Sequence, residues 1–317
     1  MFNLRAALAL TAAVLTLAWG MAQAAPSSPT AAPAPAPIRF TVVDQGATGK
    51  PDVILLPGLT GGRWVWEAQA AKLAPDYRLH LFQVNGFAGQ PAGANATADP
   101  LLPALVEDLH AYIAARRMRP VIIGHSLGGL LGLMLAAKYP QDVTKLVVVD
   151  ATPFWGLMFG PNSTADSVRP MARSMSDSTF TASQARREAG ERNIAQSLAL
   201  DPVARVRIAA DGLASDPEVG SRAMYEDLTT DLRPALPAIR TPTLVLYASD
   251  PTLTYPDGTK PTAEMTDAIF QASYRTMPNV KLARVDGTRH FIMSDQPQRL
   301  DELLRPFLAA PAGPSTR

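Results

Sequence analysis

The stretch Val121-Ile122-Ile123-Gly124-His125-Ser126-Leu127-Gly128-Gly129 decides how this chain is read. Its three β-branched residues in a row predict a strand, and the apolar run Leu127–Lys138, stopped before Pro140, predicts a helix. Gly-x-Ser-x-Gly is a weak pattern alone. Between a strand and a helix it describes a nucleophile elbow, a strained turn that lifts the serine above the sheet edge. Side chains at 124 and 128 would collide with neighbouring backbone, so glycine is needed at both. The N–H of Leu127 would open the helix, where the dipole favours a developing negative charge.

Working outward, short β-branched runs recur at residues 38–43, 53–56, 78–84, 145–149, 243–247 and 280–285, bounded by Gly, Pro or Asp. Several are continuously apolar, as strands covered on both faces of a parallel sheet are. Leu102, Leu105, Val106, Leu109 and Ile113 lie at helical spacing between two of them. Alternation of strand and helix predicts an α/β fold, a mostly parallel sheet with helices on both faces and ligand chemistry at the carboxyl ends of the strands. Between 149 and 243 no convincing strand run occurs, whereas 183–200 and 203–213 are compatible with helix. A structureless loop of that length is uncommon in a compact domain, so a helical cap insertion at about 151–240 is expected. Phe154, Trp155, Met158 and Phe159 open it, as cap-to-core packing or as the lining of a substrate pocket.

The Gly-His-Ser-Leu-Gly-Gly elbow, the Leu56-Pro57-Gly58-Leu59 segment after an early strand and a late histidine resemble the α/β-hydrolase superfamily, in particular its serine esterases and lipases. The resemblance extends from about 38 to 308. It implies Ser126 as nucleophile, His290 as base, and Leu59 and Leu127 as donors of oxyanion N–H groups. Many members carry His-Gly before the first oxyanion residue; this chain has Pro57-Gly58, losing a polar side chain but keeping the glycine.

The base also follows from elimination among four histidines. His125 adjoins the serine within the elbow and should point away from it. His80 lies inside a strand, and His110 falls one position beyond an apolar helix stripe. His290 follows the last strand, in Val285-Asp286-Gly287-Thr288-Arg289-His290, at the edge where chemistry is expected. A triad acid must accept from its imidazole N–H, so it too should end a strand. Asp250, after 243–248, is favoured because it gives the chain order Ser, Asp, His. Asp150, after 146–149, is the alternative, or else caps the turn into the cap. Asp286 and Asp295 read as loop solvation or helix capping. Gln83 and Phe87, near a further strand end, are weaker candidates for shaping a pocket.

The termini read differently. Arg5 followed by an apolar run to Ala18 and by Ala22-Gln23-Ala24 predicts a signal peptide over 1–24, short of the ~20 apolar residues of a membrane anchor. Residues 25–37 are an Ala/Pro-rich linker, leaving 38–317 as the hydrolase domain. Export to the periplasm or beyond is the expected localisation, with no stable membrane anchor after cleavage. The chain has 29 basic and 28 acidic residues, a balance that argues against nucleic acid as a partner. With no cysteine, disulfides, thiolate nucleophiles and cysteine-ligated zinc are excluded. The resulting expectation is a cofactor-free and metal-free serine hydrolase acting on a small-molecule acyl substrate through an acyl-enzyme. The same triad would serve lactone, amide or carbon–carbon bond hydrolysis, or a receptor built on a hydrolase scaffold.

Overall fold

A computed structural model of the protein describes residues 39–160, 162–180, 182–254 and 258–311. The expected signal peptide (1–24) and linker (25–37) lie outside these. Among the described residues no helix is long and apolar enough to cross a membrane. Seven strands form one sheet: β1 (Phe40–Gln45), β2 (Asp52–Leu56), β3 (Arg78–Val84), β4 (Val121–His125), β5 (Lys145–Val149), β6 (Thr243–Ser249) and β7 (Val280–Asp286). Their order is β1-β3-β2-β4-β5-β6-β7, with β1 antiparallel to β3 and every other pair parallel. The expected α/β sheet is present. The elbow strand β4 lies in its centre.

The continuous apolar runs follow from side chains alternating across the sheet. Ile54, Leu56, Ile122, Leu146, Val148 and Val245 join one core with α2 (Leu101–Ala115), α3 (Leu127–Lys138) and α8 (Ala263–Tyr274). Val53, Leu55, Ile123, Val147, Val149 and Leu246 join a second core on the other face, with α1 (Glu67–Leu73), α9 (Ile292–Asp295) and α10 (Pro297–Ala309). The central strands β2, β4, β5 and β6 are therefore apolar on both faces along most of their length. On α2, Leu102, Leu105, Val106, Leu109 and Ile113 are all buried, the face their spacing predicts.

Between β5 and β6 run α4 (Ala165–Phe180), α5 (Gln184–Leu198), α6 (Pro202–Ala214) and α7 (Pro217–Thr229). Asp201 and Asp216 cap α6 and α7, each followed by a proline that needs no N–H partner in the first turn. This layer is tied to the sheet at charged contacts. Both carboxylate oxygens of Glu226 on α7 accept from the N–H groups of Leu101 and Leu102, at 2.7 and 2.8 Å. A negative charge there also meets the positive end of the α2 dipole. At the amino end of β5, Lys145 Nζ donates to the terminal carbonyls Phe307 O, Leu308 O and Ala310 O, closing the end of α10.

Asp227, one residue after that clamp, is buried, and its Oδ1 has no hydrogen-bond partner. Burial pushes its carboxyl pKa up to about 7. The folded state then holds a proton that the unfolded chain releases near pH 4, so this residue's contribution to stability falls as pH rises from about 4 to about 7. Asp227→Asn is expected to match the wild type near pH 4 and to exceed it at pH 8 by up to about 4 kcal/mol. Melting curves across that range check it; a gap that does not widen with pH would count against a neutral buried carboxyl.

Candidate active site

The turn from β4 to α3 places Ser126 at φ 53° and ψ −122°, a conformation that costs a non-glycine residue about 1–3 kcal/mol. Backbone crossing enforces it. A Cβ on Gly124 would stand 2.2 Å from Gly128 O, and one on Gly128 would stand 2.5 Å from Leu56 O and 2.7 Å from Pro57 O. The serine's own backbone is pinned: its N–H donates to Val149 O at 2.9 Å, and its carbonyl accepts from Gly129 and Leu130 N–H at 2.8 and 3.1 Å. Ser126 thus sits where three parallel strands end together.

His290 follows β7 and donates from Nδ1 to Asp150 Oδ2 at 2.7 Å. With the proton on Nδ1, the neutral ring presents the lone pair of Nε2. Asp150 is itself fixed. It ends β5 at φ 50°, its N–H donates to Leu246 O at 2.7 Å, and its Oδ1 accepts from Ala248 N–H at 2.9 Å. One oxygen is held by β6 and the other is aimed at the imidazole.

Asp250, the favoured acid on chain order, is not paired with His290. Its Oδ2 accepts from Arg289 Nε at 2.7 Å, and its Oδ1 accepts from Thr252 N–H at 2.9 Å and Thr252 Oγ1 at 2.7 Å. Burial alone would raise its pKa, but the hydrogen bonds from Thr252 and Arg289 outweigh it and hold the carboxyl below its ordinary value. The physical reason is the Arg289 guanidinium next to His290, which takes the carboxylate at the end of β6 and leaves the one at the end of β5 to the imidazole. Asp250 also lines a cavity of about 600 Å³ with Leu200, Thr252 and Arg284, and this lining includes neither Ser126 nor His290.

The loop after β2 runs beside the serine. A Cβ on Gly58 would lie 3.0 Å from Ser126 Cβ, so the backbone entering Leu59 passes directly by the nucleophile position. Residues Gly58 to Gly61 form a turn closed by Gly61 N–H to Gly58 O at 3.1 Å. Gln83 braces it, donating to Gly61 O at 3.1 Å and accepting from Arg63 N–H at 2.8 Å. Asp211 of α6 braces it from the cap, accepting from Gly62 N–H at 2.8 Å and from Trp64 Nε1. Among the described residues, neither Leu59 N–H nor Leu127 N–H donates a hydrogen bond.

Spacing did not reveal the supports of His290. Arg289 N–H donates to Asp295 Oδ2 at 2.9 Å, while Asp295 Oδ1 accepts from Leu200 and Asp201 N–H at 2.8 and 2.9 Å. Asp295 is therefore a tie between the base loop and the cap, a larger part than the loop solvation or capping expected of it. Trp155 sets its ring edge-to-face with His290, centroids 5.9 Å apart. Phe154 and Phe87 are fully buried, whereas Met158 is 62% exposed. The remaining histidines serve elsewhere: His80 bonds Asp44 and Asp52, and His110 bonds Asp142 and stacks on Tyr139. Among the described residues no group of three or more His, Cys, Asp or Glu is placed to hold a metal ion.

Comparison with known proteins agrees with this architecture. The sequence profile of the alpha/beta hydrolase family matches residues 53–303. The "Putative carbamate hydrolase RutD" of Klebsiella pneumoniae (strain 342) is 38% identical over 113 residues, which cover 36% of this chain and 42% of that relative. The protein of the same name from Escherichia coli O17:K52:H18 is 31% identical over 119 residues, 37% of this chain and 42% of its own length. The match thus spans under half of the length of these relatives. Among solved structures, the enol-lactonase of Burkholderia xenovorans LB400 superposes with a TM-score of 0.67 at 16% identity, covering 86% of this chain and 96% of that one. A thermophilic esterase from Thermogutta terrifontis gives 0.66 at 22% identity, covering 85% and 92%. At such identities the likeness is one of fold.

The backbone crossing gives a stability test with an internal control. Gly128→Ala is expected to lose at least about 3 kcal/mol or to fail to fold, because the new methyl meets carbonyl oxygens that cannot move independently. Gly190→Ala, inside α5 with nothing within 4 Å of its added Cβ, should instead gain up to about 1 kcal/mol. Thermal melts of both decide the point, and equal shifts would refute the crowding argument.

Proposed function

Since the chain belongs to the alpha/beta hydrolase family, we propose that it is a serine hydrolase that cleaves a carboxylic ester or related acyl compound through an acyl-enzyme. The observation that carries this reading is the His290 Nδ1 to Asp150 bond at 2.7 Å, on a loop whose main chain is bonded to His125, the residue before a serine held in elbow geometry. Asp150 fixes the tautomer whose Nε2 takes a proton and stabilises the imidazolium that forms. As Ser126 Oγ attacks the acyl carbon, its proton passes to His290 Nε2, and the carbonyl oxygen becomes an oxyanion facing the N–H groups of Leu59 and Leu127. Collapse returns the proton to the leaving group and leaves the acyl group on Ser126. Water, deprotonated by His290, then releases the acid.

The acid is Asp150 in this reading. Asp250 acts through Arg289 as a structural partner of the base loop. Lactone and carbamate bonds present the same acyl carbon, and the likeness to the enol-lactonase and to the segment shared with RutD makes them the first alternatives to a simple ester. Trp155 and buried Phe154 at the entrance to the cap favour an apolar acyl or alcohol group. An exported, periplasmic or secreted protein remains the proposed setting, resting on the sequence of 1–24.

Purified protein is expected to be labelled by a fluorophosphonate probe and to turn over p-nitrophenyl esters, with both lost in Ser126→Ala and His290→Ala. Asp150→Asn should lower kcat by about 10²–10⁴, whereas Asp250→Asn should lower it by less than about tenfold. The reverse order for the two carboxylates would return Asp250 to the triad. Absence of labelling in folded wild-type protein would remove Ser126 as an activated nucleophile.

A further inference from the structure

His125 is fully buried in the elbow strand, yet its side chain is not silent. Its Nε2 lies 3.0 Å from the carbonyl oxygen of His290. A carbonyl only accepts, so the proton of the His125 ring is on Nε2. The two imidazole centroids are 4.5 Å apart, and the Phe291 ring closes against His125 at 4.7 Å. On the other side Nδ1 has no partner and faces Gly58, where an added Cβ would stand 3.0 Å from it. One ring is thus wedged between the base loop and the oxyanion loop, and its backbone belongs to the residue before the nucleophile.

From this contact we infer that His125 is a positioning residue, a neutral imidazole whose Nε2–H to His290 carbonyl bond carries the fixed position of Ser126 across to the base. The inference rests on the serine-hydrolase reading for its kinetic consequences, but not for its geometry. β4 is held on both sides by β2 and β5, with His125 opposite Val149, so its ring is anchored to the centre of the sheet. The neighbouring main-chain ties of the base loop lead elsewhere: Arg289 N–H to Asp295, which also holds the chain between α5 and α6, and Phe291 N–H to Leu198 O at 3.0 Å. Among the described residues, His125 alone hydrogen-bonds the main chain of His290 to the strand that bears the nucleophile.

The arrangement also accounts for histidine rather than another aromatic or an amide of different reach. Phe fills the volume but leaves the His290 carbonyl without its donor. Gln extends an N–H about as far as Nε2. Burial and the nearness of His290 drive the His125 pKa well below its ordinary value, so the ring stays neutral and does not oppose the imidazolium formed at His290. A second proton would sit on Nδ1, where no acceptor waits.

The test compares His125→Phe and His125→Gln with the wild type, at a temperature well below all three melting points. His125→Phe is expected to lower kcat and the rate of fluorophosphonate labelling by about 10–100-fold with KM within about threefold, and His125→Gln to recover to within about fivefold of wild type. Imidazole nitrogen NMR supplies a readout free of activity. Wild-type His125 should show the Nε2–H tautomer, with one sharp His290 signal that broadens or splits in His125→Phe and returns to one in His125→Gln. Full activity in His125→Phe, equal loss in both variants, or an Nδ1–H tautomer would each overturn the inference. If the wild type resists labelling while the NMR pattern holds, the serine-hydrolase reading falls and the placement of His290 by His125 stands.

Discussion

Between β4 and α3 the backbone crosses the chain leaving β2 at distances that admit no side chain. Gly124 packs on Gly128, and Gly128 packs on the carbonyls of Leu56 and Pro57. The strained serine conformation, the start of α3 and the path of the loop through Gly58 and Leu59 all follow from that contact, since each of the three segments is pressed against the other two. The strain is sustained because the strands around it are buried on both faces and hydrogen-bonded along their length. A few kcal/mol at one residue is small beside two apolar cores.

Around this rigid centre the working groups are held by polar ties, most of which lead to the cap. Asp211 steadies the loop after β2, Asp295 joins the base loop to the chain between α5 and α6, and Glu226 closes the end of α2. Charge-assisted hydrogen bonds of this kind are stronger than neutral ones and have defined directions. Apolar packing gives the sheet its place, whereas carboxylates on backbone N–H groups set the loops. That division suits a site in which the strands supply position and the loops supply chemistry.

Central strand positions were legible because burial on both faces demands apolar runs, and 145–149 coincides with β5. The elbow was legible for the same reason its glycines are needed. The positions of Ser126 and His290 were legible because each follows a strand at its carboxyl end. The choice between Asp150 and Asp250 could not be made that way. The two end adjacent parallel strands, β5 and β6, and chain order favours the one that is not paired with His290. What decides is the side chain of Arg289, which reaches Asp250 and leaves Asp150 to the imidazole. No periodicity encodes that reach. His125 was legible as a residue of the elbow, and its alternation away from Ser126 was expected, but its contact with His290 arises from a loop 165 positions later.

The clamp between Glu226 and the first N–H groups of α2 sets how the roof over the site behaves as a mechanical part. Lifting α7 would break both bonds at once and leave a helix end and a carboxylate seeking water in the same gap. At about 1.5–3 kcal/mol for each such bond, fewer than about one molecule in a hundred would stand open along that edge. The fold therefore hangs its roof from a locked beam. The segment after β5, which carries the exposed Met158, packs on the same helix, α7, and so shares that anchorage.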